Sequence, residues 1–334
     1  MARIAINGFG RIGRGFVRAA HGRGGIEVVA INDLAPVENL AYLLKYDTVY
    51  GRAPFSVTIG EGGLSIDGKH VRFTQEKDPA KLPWRDMAID IVVEATGFFT
   101  DAAKARAHLD AGAKKVVITA PGKGDGVETI LIGANEEKFG TGDITSNASC
   151  TTNACSPLIG ILDEAIGIER AILNTTHAYT ASQAIVDGPA PDDFRRGRAG
   201  AANLGPSSTG AAKATTLAFP HLKGKFDGIA VRVPIAAGSI VDITFVSKRP
   251  TSIEEVNDAL KRGAASDRWK RVFAVTEEPL VSSDILGEPF GAIADLAMTR
   301  VVDGTLVKVL AWYDNEMGYC YTLIEHVAEV AKKL

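Results

Sequence analysis

The sequence predicts an α/β fold with a doubly wound parallel sheet, followed by an α+β region with a mostly antiparallel sheet. The first third of the chain alternates short β-branched apolar runs with amphipathic stretches, which is typical of parallel strands joined by crossover helices. The pattern changes near Asn147, after which longer alternating strands dominate. With 334 residues the chain is long enough for two domains, and we place their boundary near residue 150.

The elements of the first region alternate between strand and helix. Apolar periodicity predicts strands at 3–6, 27–31, 89–94 and 115–119, and helices at 11–21 and 102–111.

The second region opens on a helix. We predict that helix over 150–165, strands at 169–176, 226–233 and 239–246, and hairpin strands at 294–302 and 305–313. The hairpin turn is Asp303-Gly304, and Ser252 with Glu255 forms a capping-box pattern before a further helix. Prolines and glycines over 189–205 predict a long irregular loop.

Composition and charge exclude several classes of protein. Lys plus Arg total 37 and Asp plus Glu total 40, with the signs mixed, so neither nucleic acid nor an anionic membrane is expected as the primary partner. The chain has no apolar stretch of membrane-spanning length and no signal-peptide pattern, so we expect a cytoplasmic protein. The 3 cysteines show no metal-ligand spacing, so neither disulfides nor a metal site is predicted.

Gly8, Gly10 and Gly13 form a GxGxxG pattern between the first predicted strand and helix, and Asp33 ends the next strand. This order and spacing indicate a Rossmann-type dinucleotide site, where glycines let a pyrophosphate approach the start of a helix. Asp33 can accept hydrogen bonds from the ribose hydroxyls and would repel a 2′-phosphate, so we expect NAD rather than NADP. The alternative is a glycine-rich turn that only packs helix against strand.

Cys150 begins the predicted helix of the second region. Backbone N–H groups at a helix start are expected to lower the pKa of its thiol and favour a nucleophilic thiolate. Of the 6 histidines, His177 is the best placed to accept the thiol proton, since it ends the strand that follows this helix. The alternative for Cys150 is a small buried apolar residue, which is the role expected of Cys155 and Cys320.

Several polar residues suggest anion sites. Thr209 and Gly210 precede a short helical run, whose start can hold a phosphate. Arg232 lies on the opposite face of its strand from Ile229 and its apolar neighbours, so we expect it to enter a cleft. Arg196 lies in the long loop. For each residue the alternative is solvated surface, but beside a helix-start thiol the set suggests a phosphorylated substrate.

Six segments together resemble the glyceraldehyde-3-phosphate dehydrogenase family. They are NGFGRIGR (7–14), SNASCTTN (146–153), HAYT (177–180), PSSTGAAK (206–213), RVP (232–234) and WYDNEMGY (312–319). The resemblance spans essentially the whole chain and implies phosphorylating oxidation of D-glyceraldehyde 3-phosphate to 1,3-bisphosphoglycerate with reduction of NAD. It further implies a homotetramer, with an NAD-binding domain (1–149, completed by a C-terminal helix, 316–334) and a catalytic domain (150–315).

The resemblance also implies residue roles. Cys150 is the expected nucleophile and His177 the expected base. The site for inorganic phosphate is expected to comprise Ser149, Thr151, Thr209 and Gly210. Thr180 and Arg232 are expected to hold the substrate's phosphate, with Arg196 as an accessory. Besides the three glycines, the expected NAD contacts are Arg11, Ile12, Asp33, Lys77, Thr119 and Asn315.

This chain departs from the family pattern at a few positions. Many relatives carry a cysteine where Ala154 stands, Asp192 replaces a common lysine, and the segment 235–238 is unusual. Three functional alternatives remain: an erythrose-4-phosphate dehydrogenase, a non-enzymatic NAD-binding scaffold and, more remotely, a cysteine hydrolase. An erythrose-4-phosphate dehydrogenase would have the same thiol and NAD site, whereas a cysteine hydrolase would not need the dinucleotide motif.

Overall fold

The computed structural model describes residues 1–190 and 193–334, so the departure at Asp192 lies outside the described residues. The chain divides into two compact units. The first unit contains Met1–Ile130, Glu136–Ala148 and Leu323–Leu334, and the second contains Leu131–Asn135 and Ser149–Thr322. Within the described ranges, every helix is too short or too polar to traverse a lipid bilayer.

The first unit is built on a mainly parallel sheet. Its strands are β1 (Ala2–Asn7), β2 (Ile26–Asn32), β3 (Tyr46–Asp47), β4 (Gly51–Arg52), β5 (Val57–Gly60), β6 (Gly63–Ile66), β7 (Lys69–Thr74), β8 (Ile91–Glu94), β9 (Lys115–Ile118), β10 (Glu128–Thr129) and β11 (Ile144–Ser146). Its helices are α1 (Arg11–Ala20), α2 (Val37–Lys45) and α3 (Ala102–Asp110). The large sheet has the order β10-β11-β9-β8-β1-β2-β7-β6-β5.

The central strands of this sheet position the predicted dinucleotide site. Ile4, Ile31 and Val92 on these strands are completely buried, as expected where both faces of a parallel sheet are covered. In register, Asn7 at the end of β1 pairs with Asn32 of β2 and with Glu94 of β8. The predicted α/β fold is confirmed, and polar residues meet where the central parallel strands end.

The sequence prediction missed α2 and the antiparallel strands β5 to β7 at the sheet edge. A tight turn at Asp67-Gly68 joins β6 to β7, and both residues have positive φ, 47° and 78°. Asp-Gly is a typical dipeptide for such a turn. The strands of this edge gave only a weak apolar pattern because β5 and β7 are exposed over much of their length.

The second unit contains a mixed sheet and helices packed on it. Its strands are β12 (Ile168–Ala178), β13 (Gly205–Ser208), β14 (Phe226–Val233), β15 (Ser239–Ser247), β16 (Phe273–Thr276), β17 (Ala292–Val302) and β18 (Leu306–Tyr313). Its helices are α4 (Cys150–Ala165), α5 (Ala211–Ala218), α6 (Ile253–Ala265) and the start of α7 (Met317–Ala331). The sheet order is β13-β14-β12-β15-β18-β17-β16.

Most neighbours in this sheet are antiparallel, which confirms the prediction for the second region. The exceptions are the parallel pairs β12 with β14 and β16 with β17. The β12–β14 pair matters for the site because its register places His177 directly opposite Arg232. Residues 55 positions apart in the sequence thereby become neighbours.

In the second unit the predicted hairpin turn is confirmed, and the predicted capping box forms in part. Asp303 and Gly304 have φ values of 48° and 65°, and Thr305 N–H donates to Val302 O at 3.3 Å, as in a tight hairpin turn. Ser252 caps α6, and its hydroxyl accepts from Glu255 N–H at 3.2 Å. The Glu255 carboxylate instead accepts from Arg249 at 2.7 Å. The reciprocal bond of a capping box, from the Ser252 N–H to the Glu255 side chain, is therefore not made.

Helix α4 begins at Cys150 and continues through Pro157 to Ala165. Its apolar side chains anchor it in the core of the second unit, with Leu158 fully buried. Cys155, in the same helix, is completely buried, in agreement with its predicted apolar role. Because the body of α4 is fixed by packing, its first residue has a defined position.

Candidate active site

The glycine-rich turn between β1 and α1 has three glycines with different tasks. Gly8 has a φ of +93°, and a Cβ on it would lie 2.7 Å from the backbone of Ala95 and Thr96. A Cβ on Gly13 would lie 2.3 Å from the Gly8 carbonyl oxygen. At Gly10, which precedes α1, a Cβ would meet nothing within 4 Å. Two glycines thus allow close packing, and the third faces open space at the start of a helix.

A cleft of about 640 Å³ opens beside this turn. Among the predicted cofactor residues, Gly8, Gly10, Asp33 and Lys77 line it. The Asp33 carboxylate accepts from Phe9 N–H at 2.7 Å and from Ala35 N–H at 2.9 Å, which holds it at the end of β2. Open space at Gly10 and a fixed acceptor at Asp33 are what a dinucleotide's pyrophosphate and ribose require, so these residues fit NAD.

The other predicted cofactor residues lie outside the lining of this cleft. Ile12 and Gly13 belong to α1, and the guanidinium of Arg11 pairs with Asp47. Thr119 follows β9 and donates its N–H to Glu94 O at 3.0 Å. Asn315 lies in the second unit, where its amide oxygen accepts from Ser239 Oγ at 3.0 Å and from Gly238 N–H at 3.1 Å.

Sequence reasoning overlooked several residues that line the cleft. They are Asn7, Asn32, Leu34, Glu76, Phe98 and Phe99. Phe98 and Leu34 are 77% and 60% exposed, so the cleft offers apolar surface beside its polar lining. The available signal was their position after strands β2 and β8, at the carboxyl ends where parallel sheets bind ligands.

In the second unit, the structure brings Cys150 and His177 together. Cys150 Sγ lies 3.4 Å from His177 Nε2. Ser149 caps the helix that Cys150 begins, since its hydroxyl accepts from Thr152 N–H at 3.2 Å. The thiol is held at the start of a helix and the imidazole at the end of a strand, which is a nucleophile–base pair.

Arg232 supports the far side of the imidazole. Arg232 Nη1 lies 2.6 Å from His177 Nδ1 and donates to Ala178 O at 3.1 Å. His177 Nδ1 itself lies 2.6 Å from Ala178 O. Nδ1 thus lies within hydrogen-bond distance of a donor, Arg232, and of an acceptor, the Ala178 carbonyl. For His177 to act as the base, its proton must be on Nδ1 and donated to Ala178 O, which leaves Nε2 as the acceptor toward the Cys150 thiol.

Arg232 points to the inner face of β14, in agreement with the prediction that it lies opposite Ile229. Ala230, on the same face of β14, is buried, whereas Ile229 on the other face is 54% exposed. The apolar face of this strand is therefore the outer one in the second unit, and Arg232 points inward.

The electrostatics correct one expectation. The sequence predicted a lowered pKa for the Cys150 thiol, but burial raises that pKa above its usual value, and the charge of Arg232 with hydrogen bonds from Thr151 offsets only part of the rise. Burial and the Arg232 charge lower the pKa of His177 to about 4. At neutral pH the pair therefore rests as thiol and neutral imidazole, so the thiolate must form by proton transfer to Nε2.

The side chains predicted to bind anions hydrogen-bond to different partners in the structure. The Thr151 hydroxyl is buried and 2.9 Å from Tyr313 OH, while the Thr180 hydroxyl is 2.9 Å from Ser182 Oγ. Arg196 Nη2 donates to Ser207 Oγ at 3.4 Å.

Thr209 and Gly210 stand at the start of α5. The Thr209 hydroxyl accepts from Ala211 N–H at 3.2 Å, and a Cβ on Gly210 would meet nothing within 4 Å. Among the predicted anion residues, Arg232 is the one with a direct contact to His177.

Tyr313 and Ser239 were not singled out from the sequence, although they support the pair. The buried Tyr313 ring packs edge-on against the His177 ring, with centroids 5.9 Å apart. Ser239 Oγ accepts from Ala178 N–H at 3.1 Å and donates to Asn315. Tyr313 belongs to the segment WYDNEMGY, which was the available signal.

Comparison with known protein families covers both regions of the chain. Residues 149–315 match the family model "Glyceraldehyde 3-phosphate dehydrogenase, C-terminal domain", and residues 2–102 match "Glyceraldehyde 3-phosphate dehydrogenase, NAD binding domain". The chain belongs to the glyceraldehyde-3-phosphate dehydrogenase family. The family predicted from the motifs is confirmed, and the second model confirms NAD as the predicted cofactor.

Relatives in this family match over nearly their full length. The glyceraldehyde-3-phosphate dehydrogenase of Mycobacterium avium is 48% identical, with 99% of each chain covered. That of Zymomonas mobilis is 46% identical, again with 99% of each covered. Glyceraldehyde-3-phosphate dehydrogenase 1 of Bacillus subtilis is 46% identical, covering 99% of this chain and 98% of the relative.

In this member of the glyceraldehyde-3-phosphate dehydrogenase family, Arg232→Gln should slow alkylation of Cys150. The Arg232 charge lowers the thiol pKa, so its removal raises that pKa and the midpoint of the alkylation rate moves to higher pH. Each unit of the shift reduces the thiolate fraction about tenfold below the pKa. Iodoacetamide labelling from pH 6 to 10, with Cys150 identified by mass spectrometry, measures it. The exposed Arg262→Gln serves as the control, and equal midpoints in both variants would contradict this account.

Proposed function

We propose that the protein is a phosphorylating glyceraldehyde-3-phosphate dehydrogenase, which oxidises D-glyceraldehyde 3-phosphate to 1,3-bisphosphoglycerate and reduces NAD. The observation that carries this proposal is the 3.4 Å contact between Cys150 Sγ and His177 Nε2 in a chain that matches the family throughout its length. In this proposal residues 1–149 with 316–334 form the NAD-binding domain, and residues 150–315 form the catalytic domain.

In the first step the Cys150 sulfur adds to the aldehyde carbon. The thiol proton moves to His177 Nε2 as the C–S bond forms, because the base is neutral at physiological pH and lies within reach. The carbonyl oxygen becomes an alkoxide and takes that proton back. The product is a hemithioacetal on Cys150, with the imidazole again free to accept a proton.

In the second step the hemithioacetal is oxidised to a thioester. NAD, when bound, supplies the acceptor for the hydride that leaves the former aldehyde carbon. His177 Nε2 accepts the hydroxyl proton at the same time, so that the C=O bond can form. His177 is held for both transfers by the Ala178 carbonyl and by the edge-on ring of Tyr313.

In the third step inorganic phosphate attacks the thioester carbon and the Cys150 thiolate leaves. We assign this phosphate to Ser149, Thr151, Thr209 and Gly210, which offer helix starts and hydroxyl groups. The phosphate of the substrate is assigned to Thr180 and Arg232, with Arg196 as the accessory residue. Arg232 is suited to this role because it is charged and already fixed beside the base.

The cofactor assignment rests on the cleft of the first unit. Gly8, Gly10 and Gly13 shape the turn at the start of α1, and we assign the pyrophosphate to this turn with Arg11 and Ile12. Asp33 is assigned to the ribose hydroxyls. Lys77, Thr119 and Asn315 complete the proposed contacts.

The exposed apolar surface supports assembly into a homotetramer. On the outer face of the second unit's sheet, Ile172 and Ile229 are 61% and 54% exposed, and they lie on the neighbouring strands β12 and β14. In the long loop, Ile185 and Phe194 are 86% and 85% exposed. Apolar patches of this kind mark interaction surfaces, and covering them with other copies of the chain removes them from water.

The chemistry also supports a cytoplasmic location. Cys150 acts only as a reduced thiol, and the three cysteines are unpaired in the structure. A reducing compartment keeps such thiols available.

Steady-state kinetics test the reaction directly. We expect reduction of NAD at 340 nm that requires both glyceraldehyde 3-phosphate and phosphate, and we expect Cys150→Ser to abolish it. His177→Asn should lower kcat about 10² to 10⁴-fold, because general base catalysis is lost. Cys155→Ser is the matched control, since Cys155 is buried and outside the pair. Phosphate-independent turnover that favours erythrose 4-phosphate would overturn the substrate assignment.

Asp33→Asn tests the basis of NAD preference. Removing the carboxylate charge removes its repulsion of a 2′-phosphate, so the ratio of kcat/KM for NAD over NADP should fall about tenfold. Asp86→Asn, which alters an exposed carboxylate in the same unit, should leave the ratio unchanged. An unchanged ratio in both variants would show that another group sets the preference.

Analytical ultracentrifugation tests the assembly. We expect a mass four times that of the chain, and we expect Ile229→Lys to shift the population toward smaller species, because a charge would be buried in an apolar contact. Lys223→Gln, at an exposed position near the same strand, is the control. A wild-type protein that sediments as a monomer at micromolar concentration would rule out the tetramer.

A further inference from the structure

Next to the cleft of the first unit lies a chain of buried polar side chains that the proposed reaction does not use. Trp84 Nε1 donates to His108 Nδ1 at 3.1 Å. His108 Nε2 in turn lies 3.0 Å from Glu94 Oε2. Trp84 and His108 are completely buried and Glu94 is 1% exposed.

The direction of each hydrogen bond in this chain follows from the donors. An indole N–H can only donate, so His108 Nδ1 is the acceptor and the imidazole proton is on Nε2, facing Glu94. Glu94 also accepts from Asn7 Nδ2 at 2.6 Å, from Thr96 N–H at 2.8 Å and from the Thr96 hydroxyl. Four donors on one carboxyl group suit its ionised form, which only accepts.

The chain ends in residues that line the cleft. Asn7 and Thr96 are both in its lining, and Asn7 Oδ1 accepts from Asn32 Nδ2, another lining residue, at 2.7 Å. Gly8 packs against the backbone of Ala95 and Thr96 so closely that a Cβ would lie 2.7 Å away. A displacement of Thr96 would therefore move the backbone against which Gly8 packs. Because Glu94 holds Thr96, it can set the spacing between the glycine-rich turn and the end of β8.

Stability alone does not explain this arrangement. Burying charged and polar side chains costs desolvation energy, and apolar residues of similar volume often stabilise a core equally well or better. The ring of Phe99, which lines the cleft, also packs edge-on against His108, with centroids 6.2 Å apart. His108 thus contacts the cleft lining through Phe99, and Glu94 contacts it through Asn7 and Thr96.

We propose that Trp84, His108 and Glu94 are positioning residues for the dinucleotide. Trp84 fixes the tautomer of His108, His108 orients Glu94, and Glu94 holds Asn7 and Thr96 at the separation that the bound dinucleotide needs. None of the three contacts the dinucleotide in this arrangement. The inference rests on the cleft being the NAD site of the proposed function.

The experiment compares NAD binding by the full-length protein in four variants. Glu94→Gln turns amide hydrogens toward existing donors. His108→Leu removes one of the four donors to Glu94 and leaves the Trp84 indole N–H without its acceptor. We expect each to raise the NAD dissociation constant, measured by calorimetry, about tenfold or more. His108→Gln, which can both accept from Trp84 and donate to Glu94, should stay within about threefold of wild type. The exposed His70→Leu is the matched control and should bind like wild type.

A positioning role further requires a selective effect on kinetics. In Glu94→Gln and His108→Leu the KM for NAD should rise with the dissociation constant, while the KM for the aldehyde and the alkylation rate of Cys150 stay within about twofold of wild type. Folded variants that bind NAD within twofold of wild type would overturn the proposal. So would a loss of NAD binding in His108→Gln equal to that in His108→Leu.

A further variant decides the matter if His108→Leu does not fold. Trp84→Phe removes the indole N–H from the buried chain but keeps an aromatic ring, and we expect it to weaken NAD binding at least threefold. Unchanged binding would overturn the proposal.

The proposed reaction is tested separately by turnover. Wild type that binds NAD without turnover contradicts the reaction but not this inference, whereas wild type that does not bind NAD contradicts both.

Discussion

The contact between the Cys150 sulfur and the His177 Nε2 atom is the interaction on which the function of this protein depends. It requires that one helix begin at Cys150 and that β12 end just after His177, with both ends held in place. The buried body of α4 and the paired neighbours of β12 supply that precision, because close-packed interiors leave little freedom for the ends of the elements they contain. The site is therefore a product of the core of the second unit rather than of a flexible loop.

The charge state of Cys150 and His177 differs from that expected of a thiol at a helix start, where backbone N–H groups would favour the thiolate. Burial raises the pKa of the thiol and, together with Arg232, lowers that of the imidazole, so neither group is charged at rest. A neutral pair costs less to bury than an ion pair does. The charge of Arg232 then has two effects: it offsets part of the rise in the thiol pKa, and it keeps the base unprotonated. The same residue is available to bind an anionic substrate.

Each unit contains a network of buried polar side chains that hydrogen-bond to one another. In the second unit the Tyr313 hydroxyl lies 2.9 Å from the Thr151 hydroxyl and 2.7 Å from that of Thr175, and its ring supports His177. In the first unit the Glu94 carboxylate collects donors from β1, from the segment after β8 and from α3. Such networks specify one arrangement of their members, since an unsatisfied polar group in the interior is costly. Asn7 and Thr96, which line the cleft, are thereby held in place by partners that do not line it.

The sequence by itself determined the elements and the chemistry that local signals encode. The spacing from Gly8 to Asp33, the helix over 150–165 and the Asp303-Gly304 turn are dictated by short-range constraints such as backbone freedom at glycine and hydrophobic periodicity. Tertiary structure decided what depends on residues far apart in the chain. The parallel register that sets His177 against Arg232, the packing of Tyr313 on the imidazole and the burial that reverses the expected shift of the thiol pKa have no local signal. Desolvation and strand pairing are properties of the folded chain, and they arise only when distant segments meet.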